Sequence, residues 1–156
     1  MIELQLCRAL RAKLQGIVAS YLLDDSHGTD RVPQVVNGFL PPKRATSTPD
    51  VPFVIVRPST SEATREQLTV GVRIYLGIFS EDPTGFEQLL NLAAKIRQGL
   101  FDLPCRILDD RYQLGYPYSW QLNPEQPYPE WQLVIDTTWY TGVPQMLPEV
   151  LDGVPI

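Results

Sequence analysis

The chain has 156 residues, a length that fits one domain able to bury roughly 70% of the surface its unfolded chain exposes, so a core forms without disulfides or metal. Its net charge of -5 disfavours a broad phosphate-binding face, and no run approaches the ~20 apolar residues of a membrane span. The 15 prolines mark long irregular connections, a feature of proteins that wrap partners.

The opening MIELQLCRAL carries Glu3 and mixes polar with apolar residues, unlike a signal or transit peptide. From residue 2 to 23, Leu6, Leu10, Leu14, Ile17, Val18 and Tyr21 share a face while Arg8, Arg11, Lys13 and Gln15 fall elsewhere, which predicts an amphipathic first helix. Cys7 lies in that helix and Cys105 at a predicted strand start. Neither belongs to a CxxC pair, so both read as reduced, small apolar residues of an intracellular protein. Residues 24–51 read as one long loop, and a loop of that length in a compact domain suggests a binding segment. His27 sits in it beside Asp24, Asp25 and Asp30. A hard-cation loop needs longer fixed spacing and a closing bidentate Glu, which DDSHGTD lacks, so a solvated acidic loop is the better reading.

VPFVIVRP predicts a short apolar strand between prolines, and STSEATREQ a polar turn carrying Glu62 and Arg65. LTVGVRIYLGIF, residues 68–79, alternates cleanly. Leu68, Val70, Val72, Ile74, Leu76 and Ile78 point one way, as expected of a central strand packed under helices. Arg73, Tyr75 and Phe79 point the other way, as either an exposed sheet face or an interface. SEDPTG then leads into a second helix over residues 84–101. Glu81 and Asp82 have two readings, a catalytic acid pair or helix punctuation. Punctuation is favoured, with Asp82 as N-cap or Thr84 and Glu87 as a capping box.

Asp102-Leu103-Pro104 stops that helix, CRILD predicts a short strand, and Asp109 and Asp110 read as turn acids. Residues 112–122 predict an edge strand or arm, weakened by Gly115 and Pro117. EWQLVIDTTWY returns as a strand with Trp131, Leu133, Ile135, Thr137 and Trp139 on one face. The order of elements predicts a single α+β domain over residues 1–141, a mixed, mostly antiparallel β-sheet with two helices packed on one face. Residues 142–156 predict an extended C-terminal segment. Its Met146, Leu147, Val150 and Leu151 are too apolar for a solvated tail, and its prolines too frequent for a long helix; a groove on a neighbouring subunit or on its own domain would take it.

No GxSxG elbow, GxxxxGK[ST] loop or GxGxxG fingerprint is present, so no nucleophile or phosphate cradle is indicated and no cofactor is expected. PFVIVRP, VRIYLGIFSEDPTGFEQLLNLAAKIRQGL and QPYPEWQLVIDTTW, spread over residues 52–140, together resemble the tail terminator (tail completion, head-tail joining) proteins of long-tailed bacteriophages and prophages. The resemblance implies a non-enzymatic virion protein, assembled in the host cytoplasm as a homo-hexameric ring at the head-proximal end of the tail tube. Its partners would be the tail tube protein and a neck or head completion protein, with DNA passing through the ring without sequence-specific contact. A neck stopper or adaptor of the same particle is the alternative, and a small-molecule module or enzyme the more distant one. The residues expected at interfaces are Glu62, Arg65, Arg73, Tyr75 and Phe79, with Met146, Leu147, Val150 and Leu151 of the C-terminal segment.

Overall fold

The computed structural model describes residues 1–26, 28–40, 51–125 and 128–142. The chain runs α1 (Ile2–Ile17), β1 (Leu23–Asp24), β2 (Asp30–Arg31), β3 (Gln34–Asn37), β4 (Phe53–Ala63), β5 (Gln67–Phe79), α2 (Phe86–Phe101), a 3-10 turn (Pro104–Arg106), β6 (Ile107–Leu108), β7 (Tyr112–Leu114), β8 (Ser119–Leu122) and β9 (Glu130–Gly142). Strands β3, β4, β5, β9, β7 and β6 hydrogen-bond in that order, and β8 also pairs with β9. All pairs are antiparallel except β3 with β4. This is the expected α+β domain, with both described helices on one face of a mostly antiparallel sheet.

The central strand is β5, paired on one side with β4 and on the other with β9 through thirteen consecutive positions, from Gln67 opposite Gly142 to Phe79 opposite Glu130. Its alternating aliphatics Leu68, Val70, Val72, Ile74, Leu76 and Ile78 are all buried beneath the helices. From β9, Leu133, Ile135, Thr137 and Trp139 join them. The hydroxyl of Thr137 serves two partners in that apolar layer. It donates to the Val72 carbonyl at 2.7 Å and accepts from the Trp139 indole N–H at 2.8 Å. A polar group buried at a sheet centre is tolerated when its partners are satisfied in this way.

The helices supply the covering layer. α1 contributes Leu6, Cys7, Leu10 and Leu14, and α2 contributes Leu89, Leu92, Ala93, Ile96 and Leu100. Burial pushes the Cys7 thiol up to about 11, so it stays protonated and packs as an apolar group. Cys105 differs from the expectation: it is exposed, in the 3-10 turn rather than at a strand start, with a left-handed backbone. Helix α1 stops at Ile17, short of the pattern's end at Tyr21. Gly16 and the β-branched Ile17-Val18 weaken the last turn, and two turns after it keep Val18 buried and Tyr21 against the core. In α2, Arg97 is exposed and Leu92 is buried.

Three further expectations change. Residues 24–51 are not one loop, because β2 and β3 lie within them. The four-residue β3 is too short to show a period, yet it buries Val35 under α1 and is held by the Arg11 Nε–H donating to the Val35 carbonyl at 2.9 Å. The segment 59–67 is not a turn, since β4 continues to Ala63 opposite Leu68. Only residues 64–66 reverse the chain, with the Thr64 hydroxyl accepting the Gln67 N–H at 3.2 Å. Residues 112–122 are two strands on the same side of β9. β7 lies at its Trp139 end and β8 at its Leu133 end. Asp109 and Asp110 do form a turn, both with left-handed backbones, between β6 and β7.

Candidate interaction face of the sheet

The sheet face away from the helices is built by the other set of alternating residues. β4 presents Phe53, Ile55 and Arg57, opposite Gly77, Tyr75 and Arg73 of β5, which in turn oppose Gln132, Val134 and Asp136 of β9. At one end these residues form a second apolar cluster separate from the main core. Val51, Phe53 and Ile55 are buried there, with Val36, Leu40, Tyr75 and Phe79 packed against them. Gly77 makes the packing possible, because a Cβ at that position would meet the Phe53 ring at 2.2 Å. The ring lies flat across the strand where a side chain would otherwise stand.

Arg57 fastens this cluster. Its guanidinium carbon lies 3.9 Å from the Phe39 ring centre and 4.3 Å from that of Tyr75, and its Nε–H donates to the Gly38 carbonyl at 2.8 Å. A guanidinium between two aromatic faces is held by quadrupole attraction as well as by packing. Beside the cluster runs a groove of about 420 Å³. Phe53, Ile55 and Tyr75 form one wall, Val134 and Leu133 the floor, and Gln121, Leu122, Asn123 and Pro124 the far wall. Apart from Arg57 its polar side chains are the Tyr75 phenol and the amides of Gln121, Asn123 and Gln132, a lining suited to an apolar side chain or peptide.

Of the residues predicted for this face, Arg73, Tyr75 and Phe79 do share it. Arg73 is half exposed and its Nε lies 2.9 Å from the Asp136 carboxylate, which raises the guanidinium pKa above its ordinary value. Tyr75 and Phe79 are half-buried members of the cluster. Glu62 and Arg65 lie apart from them, exposed at the far end of the β4–β5 hairpin. Met146, Leu147, Val150 and Leu151 lie outside the described residues, as does His27. The sequence reading missed Phe39, Phe53, Ile55, Arg57 and Val134. Its available signal was FVIV, an apolar run without alternation, the mark of a strand buried on both faces.

Of the two acids before α2, Asp82 is structural in geometry. The Asp82 carboxylate accepts the Thr84 N–H at 2.9 Å and the Thr84 hydroxyl at 2.8 Å, and these bonds hold its pKa below the ordinary value. A general acid at neutral pH needs the opposite shift. The cap differs from both expected forms: the helix begins at Phe86 with Gly85 as its N-cap, and Asp82 instead organises the turn that precedes it. That turn is clasped from β9. The Trp131 indole N–H donates to the Ser80 carbonyl at 3.0 Å, the Tyr128 hydroxyl to the Glu81 carbonyl at 2.7 Å, and the Ser80 N–H to the Pro129 carbonyl at 2.9 Å. Gly85 is required by the same contact, since a Cβ would sit 2.6 Å from Ser80 Cβ and 2.7 Å from Trp131 Nε1. SEDPTG and YPEW, far apart in sequence, are therefore one structural unit.

In the loop near His27, the Asp24 carboxylate accepts the Ser26 N–H at 2.9 Å and Asp25 the Thr29 N–H at 3.2 Å. Among the described residues no group of three or more His, Cys, Asp or Glu side chains is placed to hold a metal, and no helix is long and apolar enough to cross a membrane. No family model matches the chain, and no curated protein matches it in sequence.

Proposed function

We propose that the chain is a structural subunit of a long-tailed phage particle, a tail terminator that assembles with copies of itself into a six-fold ring between tail tube and neck. The observation that carries this reading is the outward sheet face, where Phe53, Ile55 and Tyr75 line an apolar groove. Aromatic and aliphatic groups surrounded by amides and one stacked arginine suit a protein interface core. The segments that resemble terminators support it from a second side. They meet in the clasp between residues 80–85 and 128–131, an arrangement that fixes architecture and leaves the Asp82 carboxylate of SEDPTG occupied with the Thr84 N–H and hydroxyl. A head-to-tail contact closes into a ring when the rotation per subunit permits, and a rim of loops then caps the tube.

Electron microscopy of assembled particles tests the proposal. The expected result is six copies of this chain in one ring at the head-proximal end of the tube. Density for the chain in a twelve-fold ring under the portal, or in the neck beyond the tube end, would assign it to an adaptor or stopper. Gln121→Arg with Val134→Glu, which places charges in the groove, should leave the domain folded and yield particles without joined tails.

A further inference from the structure

The chain has three asparagines, and the residue after each sets them apart chemically. An asparagine loses its side-chain amide when the backbone nitrogen of the next residue attacks the side-chain carbonyl carbon. A cyclic imide forms and ammonia leaves. Asn123 precedes Pro124, which has no N–H to give up. Asn91 lies inside α2, where the Leu92 N–H is committed to the helix ladder and its side chain is buried. Asn37 precedes Gly38, whose nitrogen has no side chain beside it to obstruct the attack.

The fold gives Asn37 both access and a lock. Its side chain is exposed at the last position of β3. Gly38 follows with φ at +81°, and among the described residues no atom beyond its chain neighbours lies within 4 Å of the place a Cβ would take. Conformation, and not packing, is what calls for glycine here. Its peptide groups are tied on both sides. The Gly38 N–H donates to the Val56 carbonyl at 2.7 Å, and the Gly38 carbonyl accepts the Arg57 Nε–H at 2.8 Å. Arg57 is itself stacked between the Phe39 and Tyr75 rings, and the Phe39 N–H donates back to the Asn37 carbonyl at 3.2 Å. A strand's side chains stand off the sheet while its N–H groups lie in the plane, so the Gly38 nitrogen must leave Val56 before it can reach the Asn37 side chain.

We propose that Asn37 is a site of self-modification whose reaction is gated by Arg57. When the end of β3 opens, the Gly38 nitrogen loses its proton to solvent, bonds to Asn37 Cγ and expels ammonia. Water then cleaves one of the two C–N bonds of the imide. Cleavage at Cγ leaves Asp, and cleavage at the backbone carbonyl leaves isoaspartate; water is the only co-reactant. Each event adds a negative charge at the exposed end of β3, next to Val36 of the outward apolar cluster. Isoaspartate also inserts a methylene into the backbone, which disturbs the pairing of residue 37 with Val56 and the lock at Gly38. The change is therefore one-way.

Amide loss is read by incubating the full-length protein in warm, mildly alkaline buffer and mapping the tryptic peptide of residues 32–43, which contains no other asparagine. Arg57→Ala, which removes the Nε–H and the stack, should lose the Asn37 amide about tenfold or more faster than the native chain. Native chain unfolded in urea should be faster still. Asn37→Gln should abolish the signal in both backgrounds, because the larger ring closes poorly. Ile96→Val loosens the helix-side layer away from β3, and it should leave the rate at the native value. Equal rates in native chain and Arg57→Ala overturn the proposal. Acceleration by Ile96→Val as great as that by Arg57→Ala overturns it too, since the reaction then waits on unfolding of the whole domain. Amide loss that falls first on Asn91 assigns the site elsewhere and overturns it as well.

Discussion

The two faces of the sheet use the same strands and nearly the same spacing but differ in how they are filled. On the helix side every second residue of β5 is aliphatic and buried, and the layer is continuous from Leu68 to Ile78. On the other side the apolar material is gathered at one end, around Phe53 and Tyr75, and the rest is held by the exposed Arg73–Asp136 pair. The contrast bears on where stability resides. The helix-side layer does the folding, and the outward face is free to vary its chemistry along the strand because little of the core depends on it.

Substitutions at adjacent positions test that contrast. The largest effect belongs to Ile74→Ala, which leaves a cavity in the buried layer on the helix side and should destabilise by about 2–5 kcal/mol, against a clearly smaller loss for Tyr75→Ala on the opposite face. Equal losses in denaturant titration would mean that the outward cluster is a second folding core. Thr137→Val is next. It keeps the volume but strands the Trp139 N–H and the Val72 carbonyl in the buried layer, for a loss of about 1–3 kcal/mol; Thr137→Ser, which keeps the hydroxyl, should recover most of it.

Gly77→Ala probes the outward cluster itself. The added methyl meets the Phe53 ring, which must move, at about 1–3 kcal/mol. Gly77→Ala with Phe53→Leu should lose less than the sum of the two single changes, because the ring that clashes is gone. The smallest effect is expected at Arg73. Its ion pair with Asp136 is solvent-exposed, so Arg73→Ala should leave the thermal midpoint unchanged at moderate salt while altering any association that uses this face.

The long alternation of β5 and the apolar face of β9 were legible because each strand buries one face only, so hydrophobicity repeats every second residue. Both helices were legible for the corresponding reason at a period of 3.6. β3 was not, since Gln34–Asn37 is shorter than the window in which a period can be seen and its partner is distant in sequence. The outer half of β4 was read as a turn because the polarity of PSTSEA marks a turn and an exposed strand equally well; Thr60, Ser61 and Glu62 are exposed. On the outward face, Tyr75 and Phe79 could be placed from the strand that carries them. The stack of Arg57 between Phe39 and Tyr75 could not, because it joins a residue of the loop after β3 to two strands, and only the tertiary fold brings them together. The structural use of Asp82 was legible but not its position: Trp131 and Tyr128 hold the turn before the helix, which starts at Phe86 with Gly85 as N-cap.

The uninterrupted pairing of β5 with β9 also gives the domain a mechanical direction. Gln67 and Gly142 face each other at one end of the ribbon, so tension applied between the hairpin turn and the end of β9 opens the pairs one at a time, like a zipper. Tension between the start of α2 and Gly142 instead pulls the strands lengthwise, and all thirteen positions must yield together. Forced unfolding follows the barrier along the loaded path, so the second path is far slower at equal force. A partner that loads this chain through residues 143–156 would therefore meet the least resistance if the domain is anchored at residues 64–67, and the greatest if it is anchored near Phe79.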